Sequence, residues 1–255
     1  SKKQIKNNKP NSFYYVYLGK VYKLQNENKK EIECYEKAIK EVSPNAPYLQ
    51  NLANAFASAG LYDYAINTYL KGRNENKDYP YFYEIAEIYK QKNDLKSMVN
   101  EYLDALEFRE SELLAVQMNL QNNLGYDENE GGINNPILKQ ELQKRIQKNS
   151  NKIVLVEFLI FIQKQQKDFN GALVQSKALD KRLKEDGTRI FELAKICTSN
   201  NDWETAQKCF NYLLEKGSGS PYFDVSNIEI LNVEFNIIKN SVNTSTLILQ
   251  QLETK

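Results

Sequence analysis

The chain has 255 residues, of which 41% are hydrophobic and 26% charged, and its 34 basic and 33 acidic side chains leave a net charge of +1. This composition excludes an intrinsically disordered chain, and the charge balance gives no overall attraction to nucleic acid or anionic lipid. No apolar run reaches the roughly 18 residues that a membrane-spanning helix needs, so we expect no membrane span.

The sequence predicts an all-α protein, because 10 glycines and 6 prolines are too few for the frequent turns of an all-β fold. Hydrophobic periodicity predicts about seven pairs of helices joined by short polar turns. We place these pairs at residues 12–25/28–41, 46–59/62–74, 79–91/95–107, 110–123/136–148, 152–165/168–184, 187–199/203–215 and 221–239/243–254.

The predicted pairs fall into segments of different regularity. We expect a disordered leader at residues 1–11, three regular repeats at 12–107, an irregular pair at 108–150 with a long loop at 123–136, two repeats at 151–216 and a last pair at 217–255. The chain begins with Ser1 and ends inside a predicted helix, so we expect it to be a truncated piece of a longer protein.

The first helices of the regular pairs carry an equivalent position at a fixed interval, and this position is small in all but one of them. Gly19, Ala53 and Ala86 are 34 and 33 residues apart, and Ile160 and Ala194 are again 34 apart. A period near 34 residues is typical of a helix-turn-helix solenoid.

The second helices carry a matching pair of positions. A mostly aromatic position is followed three residues later by a mostly small one, and both fall on one helix face. Small residues let two helix axes approach, and the aromatic ring fills the space beside them. The pairs of residues are Tyr35/Ala38, Tyr69/Gly72, Tyr102/Ala105, Ser176/Leu179 and Phe210/Leu213.

These positions resemble those of the tetratricopeptide repeat family. The best matches are SFYYVYLGKVY…EIECYEKAI, LQNLANAFASAGLYDYAINTYLKG and, later in the chain, DWETAQKCF. The sequence departs from the family pattern at Ile160, Gln163 and Leu179. The resemblance implies a right-handed α-solenoid of antiparallel helix pairs. A weaker resemblance is to tetratricopeptide proteins of cell-envelope systems in Bacteroidetes-type bacteria.

The resemblance also implies where a partner binds, because family members hold partners in a concave groove lined by the first helices. The corresponding positions are the predicted groove residues: Phe13, Val16, Lys20, Lys23, Gln50, Asn54, Tyr83, Glu87 and Lys90. Members that grip a C-terminal carboxylate carry lysines where this chain has Val16 and Tyr83, and a cation where it has Glu87. We therefore expect an extended peptide or a partner helix rather than a chain terminus.

The sequence offers no catalytic, cofactor or metal site. Histidine is absent, which removes His-based acid–base chemistry and the commonest metal ligand. No phosphate-binding glycine motif or CxxC pair occurs, and the acidic stretch from Asp127 fails as a calcium loop because Leu138 takes the place of the final glutamate. Cys34, Cys197 and Cys209 are predicted to be buried hydrophobic residues, with a bridge between the last two as a minor alternative.

These patterns predict a non-catalytic scaffold that binds another protein or peptide in its groove. Two alternatives stay open: an RNA-binding helical repeat, which would need a basic inner stripe, and the regulatory domain of a larger enzyme. The envelope resemblance favours a periplasmic or cell-envelope location, and the unpaired cysteines favour the cytoplasm. The sequence does not predict the oligomeric state.

Overall fold

A computed structural model describes residues 12–125 and 135–240, and within these two ranges every regular element is helical. The all-α prediction is confirmed for this part of the chain. The chain divides into two units, Ser1–Asn123 and Leu124–Lys255. The first unit holds α1 (Ser12–Leu24), α2 (Asn28–Glu41), α3 (Ala46–Ala57), α4 (Tyr62–Glu75), α5 (Phe82–Gln91), α6 (Leu95–Phe108) and α7 (Leu113–Leu124).

The second unit holds the six remaining helices that the structure describes. These are α8 (Pro136–Lys148), α9 (Ile153–Gln165), α10 (Phe169–Leu183), α11 (Thr188–Ser199), α12 (Trp203–Glu215) and α13 (Phe223–Asn240). Helices pack most closely on their partners in the pairs α1/α2, α3/α4, α5/α6, α9/α10 and α11/α12, and α13 packs on α12. Neighbouring pairs are also in contact, because α1 contacts α3 and α2 contacts α4. This is the arrangement of a helical repeat.

The same turn joins the two helices of each of these five pairs. One residue of the turn has a positive φ, close to 60° at Asn26, Asn93, Lys167 and Asn201 and 70° at Gly60. The next backbone N–H donates to a carbonyl five residues earlier, as from Glu27 to Tyr22, which is the long bond of a Schellman motif. This turn satisfies the last carbonyls of the first helix and sends the chain back along it.

An aspartate begins the second helix in three of the five pairs. Asp94 accepts a hydrogen bond from the Ser97 backbone N–H at 3.0 Å, and Asp168 and Asp202 bond to the N–H three residues on in the same way. These bonds satisfy donors that the first helical turn leaves without a partner. The hydrogen bond from the Ser97 backbone lowers the pKa of Asp94, so the carboxylate is the form that caps the helix.

Small and aromatic residues interlock inside the first unit as the repeat predicts. Gly19 lies directly against Tyr35, so that a Cβ at Gly19 would overlap the tyrosine ring. Tyr35 is 1% exposed, and its ring meets those of Phe56 and Tyr64 with centroids 5.6 and 5.0 Å away. The core beside Gly19 is therefore aromatic, and the glycine makes room for the Tyr35 ring.

The core of the second unit combines aliphatic residues and alanines with the aromatic Phe210. Ala172, Ala194 and Ala206 are fully buried around Phe210. Gln163, which departs from the repeat pattern, is also buried, and its Nε2 lies 3.4 Å from Asp168 Oδ2 in the following turn. Gln163 thus makes a polar contact with the capping residue Asp168 at a position where the repeat pattern has an aromatic residue.

Lysine side chains connect the second helices of neighbouring pairs. Lys71 on α4 donates to the carbonyls of Ile39, Lys40 and Val42 at 2.9–3.0 Å, at the C-terminal end of α2. Lys216, after α12, reaches the Glu185 carbonyl at 2.8 Å and the buried Asp180 carboxylate at 2.6 Å. A cation at a helix C-terminus interacts favourably with the helix dipole and satisfies free carbonyls.

Two predicted helices begin three residues later than the periodicity indicates. The helix predicted from residue 79 starts at Phe82, because Tyr81 has a left-handed backbone with φ of 57°. The helix predicted from residue 110 starts at Leu113, because a short 3-10 turn at Glu110–Glu112 follows the extended Arg109. By contrast, the helix predicted at 136–148 is found at Pro136–Lys148, where Asn135 caps the first turn.

Three predicted segments lie wholly or mostly outside the described residues. They are the leader at 1–11, most of the loop at 123–136 and the last helix at 243–254. No helix among the described residues has the length and apolarity needed to cross a membrane.

We predict that Ala65→Leu destabilises the protein by about 1–3 kcal/mol, because Ala65 is fully buried and a larger side chain overpacks the first unit. Chemical denaturation measures the change. The matched control is Ala178→Leu on α10, which is exposed and should change the free energy of unfolding by less than about 0.5 kcal/mol. Equal effects of the two substitutions would contradict the close approach of helices at Ala65.

We predict that Asp94→Ala costs about 1 kcal/mol near pH 7, because it removes the cap of α6. Since the folded-state pKa of Asp94 is lowered, this stabilisation is present above its unfolded pKa of about 3.9 and is lost as the pH falls through the folded value. Denaturation of wild type and variant at several pH values should therefore show the difference shrinking below about pH 4. Asp94→Asn is the control, since asparagine caps helices as well without a charge.

Candidate partner-binding surface

The nine predicted groove residues all lie on first helices of the first unit. Helix α1 carries Phe13, Val16, Lys20 and Lys23, α3 carries Gln50 and Asn54, and α5 carries Tyr83, Glu87 and Lys90. Helices α1 and α3 are in direct contact. The repeat therefore places equivalent side chains of these two helices side by side.

Four of the nine residues meet at one open depression between α1 and α3. We call it the α1/α3 depression; its volume is about 250 Å³. Its lining includes Phe13, Val16, Lys20 and Asn54 from the prediction, and Tyr17, Asn51, Ala55 and Ser58, which the prediction missed. The missed residues are one position or one turn away from predicted ones, so helical periodicity was the available signal.

The α1/α3 depression combines apolar, amide and cationic groups. Val16 is only 1% exposed, so its side chain is packed into the wall of the depression, whereas the Tyr17 side chain is 54% exposed. Lys20 Nζ lies 5.6 Å from the centre of the Tyr17 ring, and two asparagine amides face the same space. Aromatic rings supply contact area, and amides can donate to and accept from a peptide backbone.

Tyr83 lies at a second site in the same unit, at the beginning of α5. This cavity of about 100 Å³, the α5/α6 cavity, is lined by the segment from Asp78 to Glu84 together with Ala105, Phe108, Arg109 and Glu112. The Tyr83 hydroxyl donates to Glu112 Oε2 at 2.8 Å, and its ring meets Tyr102 edge-on at 5.8 Å. Burial, and then the bond to Glu112, raise the pKa of Tyr83, so the phenol stays protonated.

The remaining four predicted residues lie outside both sites. Glu87 and Lys90 form an exposed pair on α5 at 3.8 Å, and Lys23 lies 3.9 Å from Glu31. Gln50 is exposed on α3. The exposed Glu87–Lys90 pair contributes little to stability, so these two side chains can reorient toward a ligand at small cost.

First helices of the second unit present paired charges, and the open pocket at the beginning of α11 is lined by polar and charged residues: Glu185, Asp186, Thr188, Arg189 and Glu192. Glu157 on α9 pairs with Arg189 on α11 at 3.3 Å, and Lys195 on α11 pairs with Glu229 on α13 at 3.0 Å. The residues are 32 and 34 positions apart, so neighbouring repeats bridge one another across this surface. The cations here are already matched by carboxylates.

The three cysteines are buried and unbridged, as predicted for hydrophobic positions. A hydrogen bond with Cys197, and then burial, raise the pKa of Cys209, which keeps it from acting as a thiolate nucleophile. In the part of the chain that the structure describes, no cluster of three or more cysteine, aspartate or glutamate side chains could hold a metal ion.

Comparison with known proteins adds no family assignment. No protein-family model matches the sequence, and no curated protein matches it. The resemblance to tetratricopeptide repeats therefore stays a prediction, carried by the residues at the repeated positions and by the way the helices pair.

Proposed function

We propose that the chain is a non-catalytic scaffold which binds a peptide or helix of another protein on the first helices of its first unit. The proposal includes the right-handed superhelix of the tetratricopeptide family, in which first helices line the concave surface. The cell-envelope location that the weaker resemblance favours is part of the same proposal.

The observation that carries the proposal is the α1/α3 depression. It gathers two aromatic rings, two amides and one ammonium group from consecutive repeats on an open surface. A peptide backbone needs donors and acceptors along its length, and its side chains need apolar area, and this set supplies both. Phe13, Tyr17 and Lys20 come from α1, and Asn51 and Asn54 from α3, so a bound segment would cross the two helices.

The alternative of RNA binding is less well supported. Recognition of a nucleic-acid backbone requires a stripe of unmatched cations. The α1/α3 depression has only Lys20, and Arg189 and Lys195 on the second unit are paired with carboxylates. We therefore propose a protein partner and no nucleic acid. The regulatory domain of a larger enzyme is compatible with the same surface, since such a domain also works by binding.

We predict that a photo-crosslinking amino acid at Asn54 captures the partner when the full-length protein is exposed to an extract of its source cell. The matched control is the same amino acid at Asn67, an exposed asparagine on the second helix α4. Adducts from position 54 but not 67 would support binding on the first helices. Adducts from 67 alone would place the partner on a different surface and overturn the proposal.

With the partner identified, Asn51→Ala combined with Asn54→Ala should weaken its affinity about tenfold, equivalent to about 1.4 kcal/mol, with unchanged helicity by circular dichroism. Asn67→Ala is the control and should leave affinity unchanged. An RNA probe whose binding falls steeply with added salt would instead favour the nucleic-acid alternative.

A further inference from the structure

Aromatic rings make up a large part of the lining of the α5/α6 cavity. Its volume is about 100 Å³, and five of its lining residues are aromatic: Tyr79, Tyr81, Phe82, Tyr83 and Phe108. Tyr81 is 4% exposed, whereas Tyr79 and Phe108 are 51% and 50% exposed. Tyr81 is thus the buried ring of the cavity, Phe82 and Tyr83 are partly buried, and Tyr79 and Phe108 are half-exposed. Large apolar side chains exposed around a cavity are typical of binding sites.

Carboxylates outnumber cations around these rings. Asp78, Glu84 and Glu112 line the cavity, and Arg109 is the one basic residue among the lining side chains. Two of the acids are oriented by phenols, because the Tyr79 hydroxyl donates to Glu84 at 2.6 Å and the Tyr83 hydroxyl donates to Glu112 at 2.8 Å. The site therefore has a negative rim that favours a positively charged ligand.

The rings of this region already accept guanidinium groups from the chain itself. Arg73 Cζ lies 4.7 Å from the centre of the Phe82 ring, and Arg109 Cζ lies 5.7 Å from that of Phe108. Arg73 is fixed by Glu101 and by the Pro80 carbonyl. Arg109 pairs with Glu112 at 3.3 Å, and its side chain is 56% exposed, so it occupies the rim.

We propose that the α5/α6 cavity receives the guanidinium group of an arginine side chain from a protein partner. The inference rests on the proposed function, because it takes the ligand to be part of a protein. A planar guanidinium stacks on aromatic faces and pairs with carboxylates, and is more weakly hydrated than an ammonium group. An apolar side chain would leave the excess negative charge of the lining unmatched, and an anion would be repelled by it.

The test is a titration of the full chain with N-acetyl-arginine-N-methylamide, followed by backbone amide shifts in nuclear magnetic resonance. The control ligand is N-acetyl-citrulline-N-methylamide, which has nearly the same shape but no charge. We expect shifts confined to residues 78–84 and 105–112, with citrulline binding at least about fivefold more weakly. Equal binding of both ligands, or shifts elsewhere in the chain, would overturn the proposal.

Variants of the lining residues give effects of opposite sign. Phe108→Ala removes a half-exposed ring, and Asp78→Asn removes a carboxylate, so each should weaken arginine binding several-fold. Arg109→Gln removes the cation that competes for Phe108 and Glu112, so it should strengthen binding. Tyr48→Ala, at an exposed tyrosine on α3 outside the cavity, is the control and should have no effect. Weaker binding to Arg109→Gln would contradict the proposal.

The titration and the crosslinking experiment test the two proposals separately, so either can give a negative result without the other. Absence of arginine binding together with crosslinking from position 54 would remove the arginine site and leave the scaffold proposal standing. Specific arginine binding without crosslinking from position 54 would keep the arginine site and remove the α1/α3 depression as the partner's position.

Discussion

The close approach of two helices within each pair is the constraint on which the rest of the structure depends. It requires a small residue on one side, and four of the five first helices carry glycine or alanine at the repeated position, with Ile160 as the exception. At Gly19 the position has no side chain at all, and the Tyr35 ring occupies the space that a Cβ would need. An aromatic ring buried in this way contributes a large apolar area, so the small residue and the large one stabilise the pair together.

The turn inside each pair converts this local contact into a regular surface. A left-handed residue and one backbone bond back across the helix end occur at the same position in five pairs, at Asn26, Gly60, Asn93, Lys167 and Asn201. Asparagine and glycine tolerate this backbone at little cost, whereas Lys167 accepts some strain. Because the turn is constant, equivalent side chains of α1 and α3 lie side by side, which creates the depression between them.

Most of the helical architecture could be predicted from the sequence, since helix spacing and small-to-large alternation are local signals. Features that depend on contacts between residues distant in sequence could not be predicted in this way. Tyr79 and Phe108 are 29 residues apart, and only the fold brings them to one cavity. The aromatic residues between Tyr79 and Tyr83 were a signal for this cavity in the sequence, but hydrophobic periodicity placed them inside the helix predicted at 79–91. The left-handed Tyr81 instead delays α5 and turns its neighbours toward α6.

The two candidate sites of the first unit differ in charge, and this difference bears on specificity. With a net charge of +1, the chain exerts little long-range attraction, so discrimination between partners has to come from local complementarity. The α1/α3 depression offers an ammonium group and amides, which suit carbonyls and carboxylates, whereas the α5/α6 cavity offers carboxylates and rings, which suit a cation. A segment that satisfied both sites would need an arginine and backbone or acidic groups at a fixed separation. Such a requirement is far more selective than either site alone, since a segment lacking one group would leave the other site's polar residues unmatched.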